Sequence, residues 1–435
     1  MAEAPTIVLE LANLGALRVG LHGLADEELS NLPHRIRGFR ARIAAEQARG
    51  LHAYLNLPGD EAALEQILRL AQPRLGRFEH LVVLGIGGSS LGLRALVQAL
   101  APKGGPRLHV VDNTDPALVA GVLAEVDLAR TLVVAVSKSG GTLETVLSLG
   151  LFVQKLRQRG LPLREHLLVV TDPEAGPLRA FARQHGLDAA DIPPGVGGRF
   201  SVLTAAGLLP AALLGLDVAA LLRGAARTVE LCTQGPLERN WPAWLGLMAT
   251  DLCRNLGKRI LVFMPYSSRL RAVSEWFVQL WDESLGKARA SDGSALEAGQ
   301  TAVPACGATD QHAQLQLFLE GPNDKVLLFA RIEQHEPDLP LGSFEWADFS
   351  AAFVQGGTLG KVLNAQQAGT AAACTERKRP NATLVLPRLD APALGELLMG
   401  LQAATTFAGM AWGVNTYDQP AVELGKGISR RMLGG

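Results

Sequence analysis

The chain has 435 residues, 48% of them hydrophobic and 19% charged, with 41 lysines and arginines against 42 acids. That length holds two or three domains with a sizeable core. The near-neutral balance, without a basic tail or an arginine stripe, argues against extended nucleic-acid binding.

Cys232, Cys253, Cys306 and Cys374 form no CxxC pair and no cluster with histidine at zinc spacing. They read as reduced, buried thiols of a reducing compartment. Met1–Gly20 opens with acid at Glu3 and lacks the basic start of a signal peptide, so a cytoplasmic location is expected. The greasiest stretch, Ala205–Leu222, is interrupted by Pro210, Gly215 and Asp217. It predicts a buried helix pair, not a membrane span.

In chain order, residues 1–60 read as a helical N-terminal segment, with Asn31–Arg49 at helical spacing. Residues 61–200 predict a first α/β domain. Its strands are the short apolar runs His80–Gly85, Leu108–Asp112, Thr131–Val136 and His166–Thr171. Ser90–Leu100, Pro116–Glu125 and Thr142–Arg159 are the helices between them. Alternation at this spacing implies right-handed crossovers and a parallel sheet. Residues 201–410 predict a helical connection and a second α/β domain, with strands Arg259–Pro265, Lys325–Ile332 and Asn381–Pro387. Residues 411–435 form a helical tail.

Two strand-to-helix turns carry anion-binding chemistry. Gly85–Gly92 reads GIGGSSLG, which misses the dinucleotide pattern because Ser90 stands where its third glycine belongs. Glycines let the backbone approach an anion, and a helix N-terminus supplies free N–H groups, although tight packing alone also calls for glycine. Ser137–Thr145 reads SKSGGTLET. Helix capping needs one hydroxyl; four hydroxyls and a lysine suit a phosphate monoester. Both turns follow strands of one sheet and so flank one crevice.

The helix Leu270–Leu285 places Glu275, Gln279 and Glu283 on one face. These are either surface acids or, for Glu283, a general base, since a carboxylate at a helix C-terminus opposes the dipole. His312 is one of nine histidines and by itself unremarkable; Gln419 and Lys426 share a face of an ordinary surface helix or of a site.

Taken together, GIGGSSLG (85–92), SKSGGTLET (137–145), GGRFS (197–201), QLWDESLGK (279–287), TDQHAQLQLFLEGP (309–322) and YDQPAVELGK (417–426) resemble the signatures of the glucose-6-phosphate isomerase (phosphoglucose isomerase) family in its shorter bacterial form, in that family's order. The resemblance covers nearly the whole chain beyond residue 75. It implies two sugar-isomerase-type α/β/α sandwich domains. Gly88, Ser89, Ser137, Lys138, Ser139, Thr142 and Thr145 would hold the phosphate. Glu283 would move a proton between C1 and C2, with Gly198 and Arg199 beside the reacting carbons. His312 and Lys426 would assist ring opening, and Gln279 and Gln419 would orient the sugar. It further implies a homodimer with His312 donated across subunits, and no metal or organic cofactor. Gly141 and Ala421 depart from the family, which commonly has Thr and Gly there. A related activity on another hexose phosphate and a non-catalytic sugar-phosphate sensor are the alternatives; residues 1–75 lack the helix-turn-helix that such a sensor would usually carry.

Overall fold

The computed structural model describes residues 6–342 and 352–434. Residues 1–5 of the expected leader, 343–351 of the second expected domain and Gly435 lie outside the described residues.

The N-terminal segment is mainly helical, with one long helix at Asp26–Gln47, but it also contributes a strand, β1 (Val8–Glu10). Three residues are too few to show an alternating pattern, so the sequence reading missed it.

The first sheet contains β2 (His80–Leu84), β3 (Arg107–Val111), β4 (Thr131–Ser137), β5 (Leu167–Thr171) and β6 (Ala189–Asp191). Its order is β3-β2-β4-β5-β6, and every pairing is parallel. Leu84 pairs with Ala135, so β2 and β4 end side by side. The chain leaves β2 in one direction and β4 in the other, which opens a crevice beyond their C-terminal ends. β4 is buried along its whole length, as a central parallel strand covered on both faces must be.

The second sheet includes β7 (Ile260–Pro265). β8 (Lys287–Arg289) and β9 (Ala295–Ala298) form a separate antiparallel ribbon. β10 (Thr301–Pro304), β11 (Lys325–Gln334) and β12 (Asn381–Arg388) complete the order β1-β12-β11-β7-β10. Its pairings are parallel except for the edge, where β1 runs antiparallel to β12. Ala205–Leu213 and Val218–Thr233 are the two helices of the greasy stretch, and the first is buried throughout. Helix Ala391–Trp412 packs on Val218–Thr233 and Trp241–Leu256. One apolar core runs from Leu81 and Val83 in the first sheet to Leu261 and Phe263 in the second. Among the described residues no helix is long and apolar enough to cross a membrane. All four cysteines are buried and unpaired.

Candidate active site

The turn after β2 tightens into a 3-10 turn at Gly87–Ser89 before the helix Leu91–Leu100. Gly88 has no alternative there: a Cβ on it would lie 2.1 Å from the Gly198 carbonyl oxygen. That close approach presses the glycine turn against Gly198–Leu203, the short 3-10 segment that carries Arg199. The Ser201 hydroxyl fastens the pair by donating to the carbonyls of Gly198, at 2.6 Å, and Gly88, at 3.2 Å.

The turn after β4 holds the hydroxyl cluster. Ser137 and Thr142 share a 2.9 Å hydrogen bond, and Ser139 Oγ accepts from the Gly141 N–H at 3.3 Å. Gly140 adopts a positive φ of 67°, close against Leu178, where only glycine fits without strain. Thr142 is the N-cap of helix Leu143–Gln158, yet its side chain makes no cap hydrogen bond. Thr145 is buried and its hydroxyl has no protein partner. A buried hydroxyl left unpaired costs about 1–3 kcal/mol, so this turn is poised to hydrogen-bond something besides protein. Lys138 is half-buried; burial lowers its pKa, and the Asp172 carboxylate opposes that. At the departure Gly141, a side chain would meet only Pro177, at 3.9–4.0 Å, an ordinary contact.

Across the crevice, helix Arg271–Leu285 ends at Glu283, Ser284 and Leu285. Gln279 and Glu283, one turn apart, face the glycine turn: a Cβ on Gly87 would lie 3.0 Å from Gln279 Nε2. Gln279 Nε2 donates to Glu283 Oε2 at 3.0 Å, and its own Oε1 is buried without a partner. Glu283 Oε1 lies 3.2 Å from Arg199 Nη1. Lys287 Nζ donates at 2.8 Å to the Glu283 carbonyl, so a cation caps the helix end that holds the carboxylate. Glu275, on the same helix face, is exposed and stands apart from this cluster.

Arg199 is 2% exposed and its fork is fully engaged. Nε donates to Ser284 Oγ at 2.7 Å, Nη1 to Gln419 Oε1 at 3.0 Å, and Nη2 to the carbonyls of Thr416 and Asp418 at 2.5 and 3.1 Å. Burial lowers its pKa, opposed chiefly by Glu283 and Asp418, but a guanidinium stays charged. The result is a fixed cation beside a carboxylate of which a quarter remains open to solvent. Such a pair can take a proton from carbon and stabilise the oxyanion that forms.

The structure thus gathers Gly88, Ser89, Gly198, Arg199, Gln279, Glu283 and Gln419 into one cluster, with Ser137, Lys138, Ser139, Thr142 and Thr145 on the adjoining strand end. It leaves two candidates outside. His312 ends the 3-10 turn Thr309–His312 and is exposed. Asp310 Oδ2 anchors that turn by accepting from the Cys306 N–H at 2.7 Å. Lys426, on the exposed helix Val422–Met432, pairs with Glu423 at 2.8 Å. Sequence reasoning missed Ser284, Lys287, Thr416 and Asp418; only adjacency to Glu283 and Gln419 marked them.

A phosphoglucose isomerase family model matches residues 74–434. The chain is 41% identical to a glucose-6-phosphate isomerase of Thermus thermophilus, over 94% of this chain and 97% of that one. A solved hypothetical protein from the same organism superposes with a TM-score of 0.89 at 39% identity, covering 99% of this chain and all of the other. A solved glucose-6-phosphate isomerase from Chlamydia trachomatis gives a TM-score of 0.76 at 27% identity, over 85% of this chain and 73% of that chain. The fold expected from the six motifs agrees with these likenesses, and the chain belongs to the phosphoglucose isomerase family of aldose–ketose isomerases.

Proposed function

We propose that this chain interconverts D-glucose 6-phosphate and D-fructose 6-phosphate through ring opening and a cis-enediol(ate), with Glu283 as the base. The observation that carries the reading is the Glu283–Arg199 pair, 3.2 Å apart, facing a glycine turn one strand away from a cluster of hydroxyls. The proton on the carbon next to a carbonyl is weakly acidic. Removing it requires a carboxylate at one face and a fixed cation where the oxygen becomes an anion. Glu283 takes the proton from C2 and returns it to C1, while Arg199 holds the enediolate oxygen. Because Ser284, Thr416, Asp418 and Gln419 already orient the guanidinium, little reorganisation remains for the reaction itself. Ser137, Lys138, Ser139, Thr142 and Thr145, with Gly88 and Ser89, hold the phosphate at the far end; binding there orients the reacting carbons. Gln279 and Gln419 orient the sugar. The chemistry draws on side chains alone, with no metal or organic cofactor.

Ring opening needs a proton shuttle at the ring oxygen, and His312 and Lys426 fill that role. His312 is exposed and stands off from the Glu283 cluster within its own chain. That exposure leaves it free to enter the site of a second copy, as the family resemblance implies, and on this reading the working form is a homodimer in the cytoplasm, serving glycolysis and gluconeogenesis. The alternatives carried from the sequence find no support in a specific contact.

The test mixes purified protein with fructose 6-phosphate and EDTA and follows glucose 6-phosphate through an NADP-linked dehydrogenase. Steady conversion is expected, with E283Q folded and inactive. A folded wild-type chain that gives no product, or an E283Q variant near full activity, overturns the reading.

A further inference from the structure

Behind Arg199 lies a second group of polar side chains that the chemistry above does not use. His52 is 4% exposed and sits at the left-handed φ of 57°, a conformation a residue with a side chain adopts only when its surroundings hold it there. Its Nε2 lies 2.8 Å from Glu46 Oε2, and its Nδ1 is hydrogen-bonded to the Tyr417 hydroxyl. The directions of these bonds follow from what each group can do. The Glu46 carboxylate accepts, from His52 on one side and from Arg42 Nε at 2.7 Å on the other. The proton of the neutral imidazole is therefore on Nε2, and Nδ1 accepts from the Tyr417 O–H. The Tyr417 oxygen then accepts from the Thr406 hydroxyl at 3.3 Å, which accepts from the Tyr54 hydroxyl at 2.9 Å. Burial lowers the pKa of His52 and raises that of Tyr417, which keeps both neutral, as the chain requires.

Tyr417 sits between Thr416 and Asp418, whose carbonyls accept from Arg199 Nη2. It is two residues from Gln419, which accepts from Nη1. On its outer side this loop borders a cavity of about 730 Å³ lined by Glu46, His52, Lys287, Thr416, Tyr417 and Asp418. Packing therefore does not close that side of the loop, and the hydrogen bonds of Tyr417 take its place. The Tyr417 ring also packs at a tilt against Phe200, the residue after Arg199, with the ring centres 5.2 Å apart.

We infer that Glu46, His52 and Tyr417 are positioning residues for the isomerisation, a hydrogen-bonded relay that fixes the 416–419 loop and through it the Arg199 fork. None of the three touches the reacting atoms. The inference rests on the isomerase reading of the site.

The test uses full-length protein and steady-state conversion of fructose 6-phosphate. Y417F removes one hydroxyl and keeps the ring on Phe200. Its kcat is expected to fall about tenfold, which is about 1.4 kcal/mol of barrier. KM should stay within about twofold, because the phosphate is held elsewhere. E46A should show the same split, and E46Q, whose amide oxygen still accepts from Nε2–H, should recover most of that loss. Unchanged kcat in Y417F and E46A overturns the inference. So does a loss in which KM and melting temperature move together with kcat, since that marks a purely structural contact. A wild-type chain without turnover refutes the isomerase reading and this inference with it, whereas an active wild type with unaffected variants refutes the inference alone.

Discussion

The Arg199→Lys substitution separates the charge of this residue from its geometry. The wild-type fork meets Ser284 Oγ, Gln419 Oε1, two backbone carbonyls and Glu283 Oε1 at once. Lysine keeps the cation but has three donors on one nitrogen, against five in a rigid plane. It can follow the carboxylate or the Thr416 and Asp418 carbonyls, not both. The Asp418 carbonyl keeps Lys287 Nζ as a donor at 3.0 Å, but the buried Thr416 carbonyl left without one costs about 1–3 kcal/mol, so the variant is expected to lose stability on that order while still folding. The larger effect falls on rate. A donor aimed at the developing oxyanion is worth roughly 10²–10³ in kcat, and the mobile ammonium forfeits most of it. KM for fructose 6-phosphate should move little, because Ser137, Thr142 and Thr145 are untouched. The assay is the coupled dehydrogenase reaction below the melting onset of the variant, with a denaturant titration alongside. An R199K enzyme within about fivefold of wild-type kcat, on a scale where the full effect is 10²–10³, removes Arg199 from the oxyanion role. A raised KM with unchanged kcat moves it to ground-state binding.

Three further outcomes are expected. Thr145→Val deletes a buried hydroxyl that has no protein partner; the free enzyme should gain about 1 kcal/mol by denaturant unfolding while KM for the sugar phosphate rises about tenfold, and an unchanged KM removes Thr145 from the phosphate contact. Burial lifts the Asp282 carboxyl to about 6, against the hydrogen bond from the Ala302 N–H that lowers it. In the unfolded chain it titrates near ~3.9, so the folded state binds more protons between those values and stability is lost as pH rises through that window. Asp282→Asn, which still accepts from Ala302, should therefore be more stable at pH ~7.5 by about 1 kcal/mol, discounted for partial exposure, and equal to wild type near pH ~4; a difference that does not change with pH refutes the assignment. Finally, E283Q and H312A, each inactive alone, should regain about a quarter of wild-type activity when refolded together, because half the dimers are mixed and each mixed dimer holds one intact site; no recovery places His312 outside the partner's site.

Legibility in the sequence tracked how local each signal was. The strands His80–Leu84 and Thr131–Ser137 were readable because a buried parallel strand is a continuous apolar run bounded by turn residues. Glycine at 88 was readable as a turn, but the demand behind it, contact with the Gly198 carbonyl 110 residues later, was not. β1 escaped because three residues carry no period, and β10 because Thr301–Pro304 is short and ends in proline. Among the site residues, Glu283 stood out as an acid at a helix C-terminus, an anomaly visible without a structure. Arg199, 84 positions away along the chain, was marked only through the resemblance carried by GGRFS, which put it beside the reacting carbons; Lys287, which looked like ordinary punctuation after Gly286, was not marked at all.

The same distinction separates the catalytic cluster from the relay behind it. A catalytic residue must be of a particular chemical type, so it leaves a trace in composition and motif. A positioning residue need only reach another residue, and the pairs that matter, His52 with Tyr417 and Tyr54 with Thr406, are separated by 365 and 352 residues. Nothing at residue 52 reports on residue 417. What joins them is that helix Ala391–Trp412 and the 3-10 segment Ala53–Gly59 converge on the Arg199 loop from opposite ends of the chain. The orientation of Arg199, which the proposed chemistry depends on most, is therefore set by tertiary contacts between residues that no local pattern marks as belonging together.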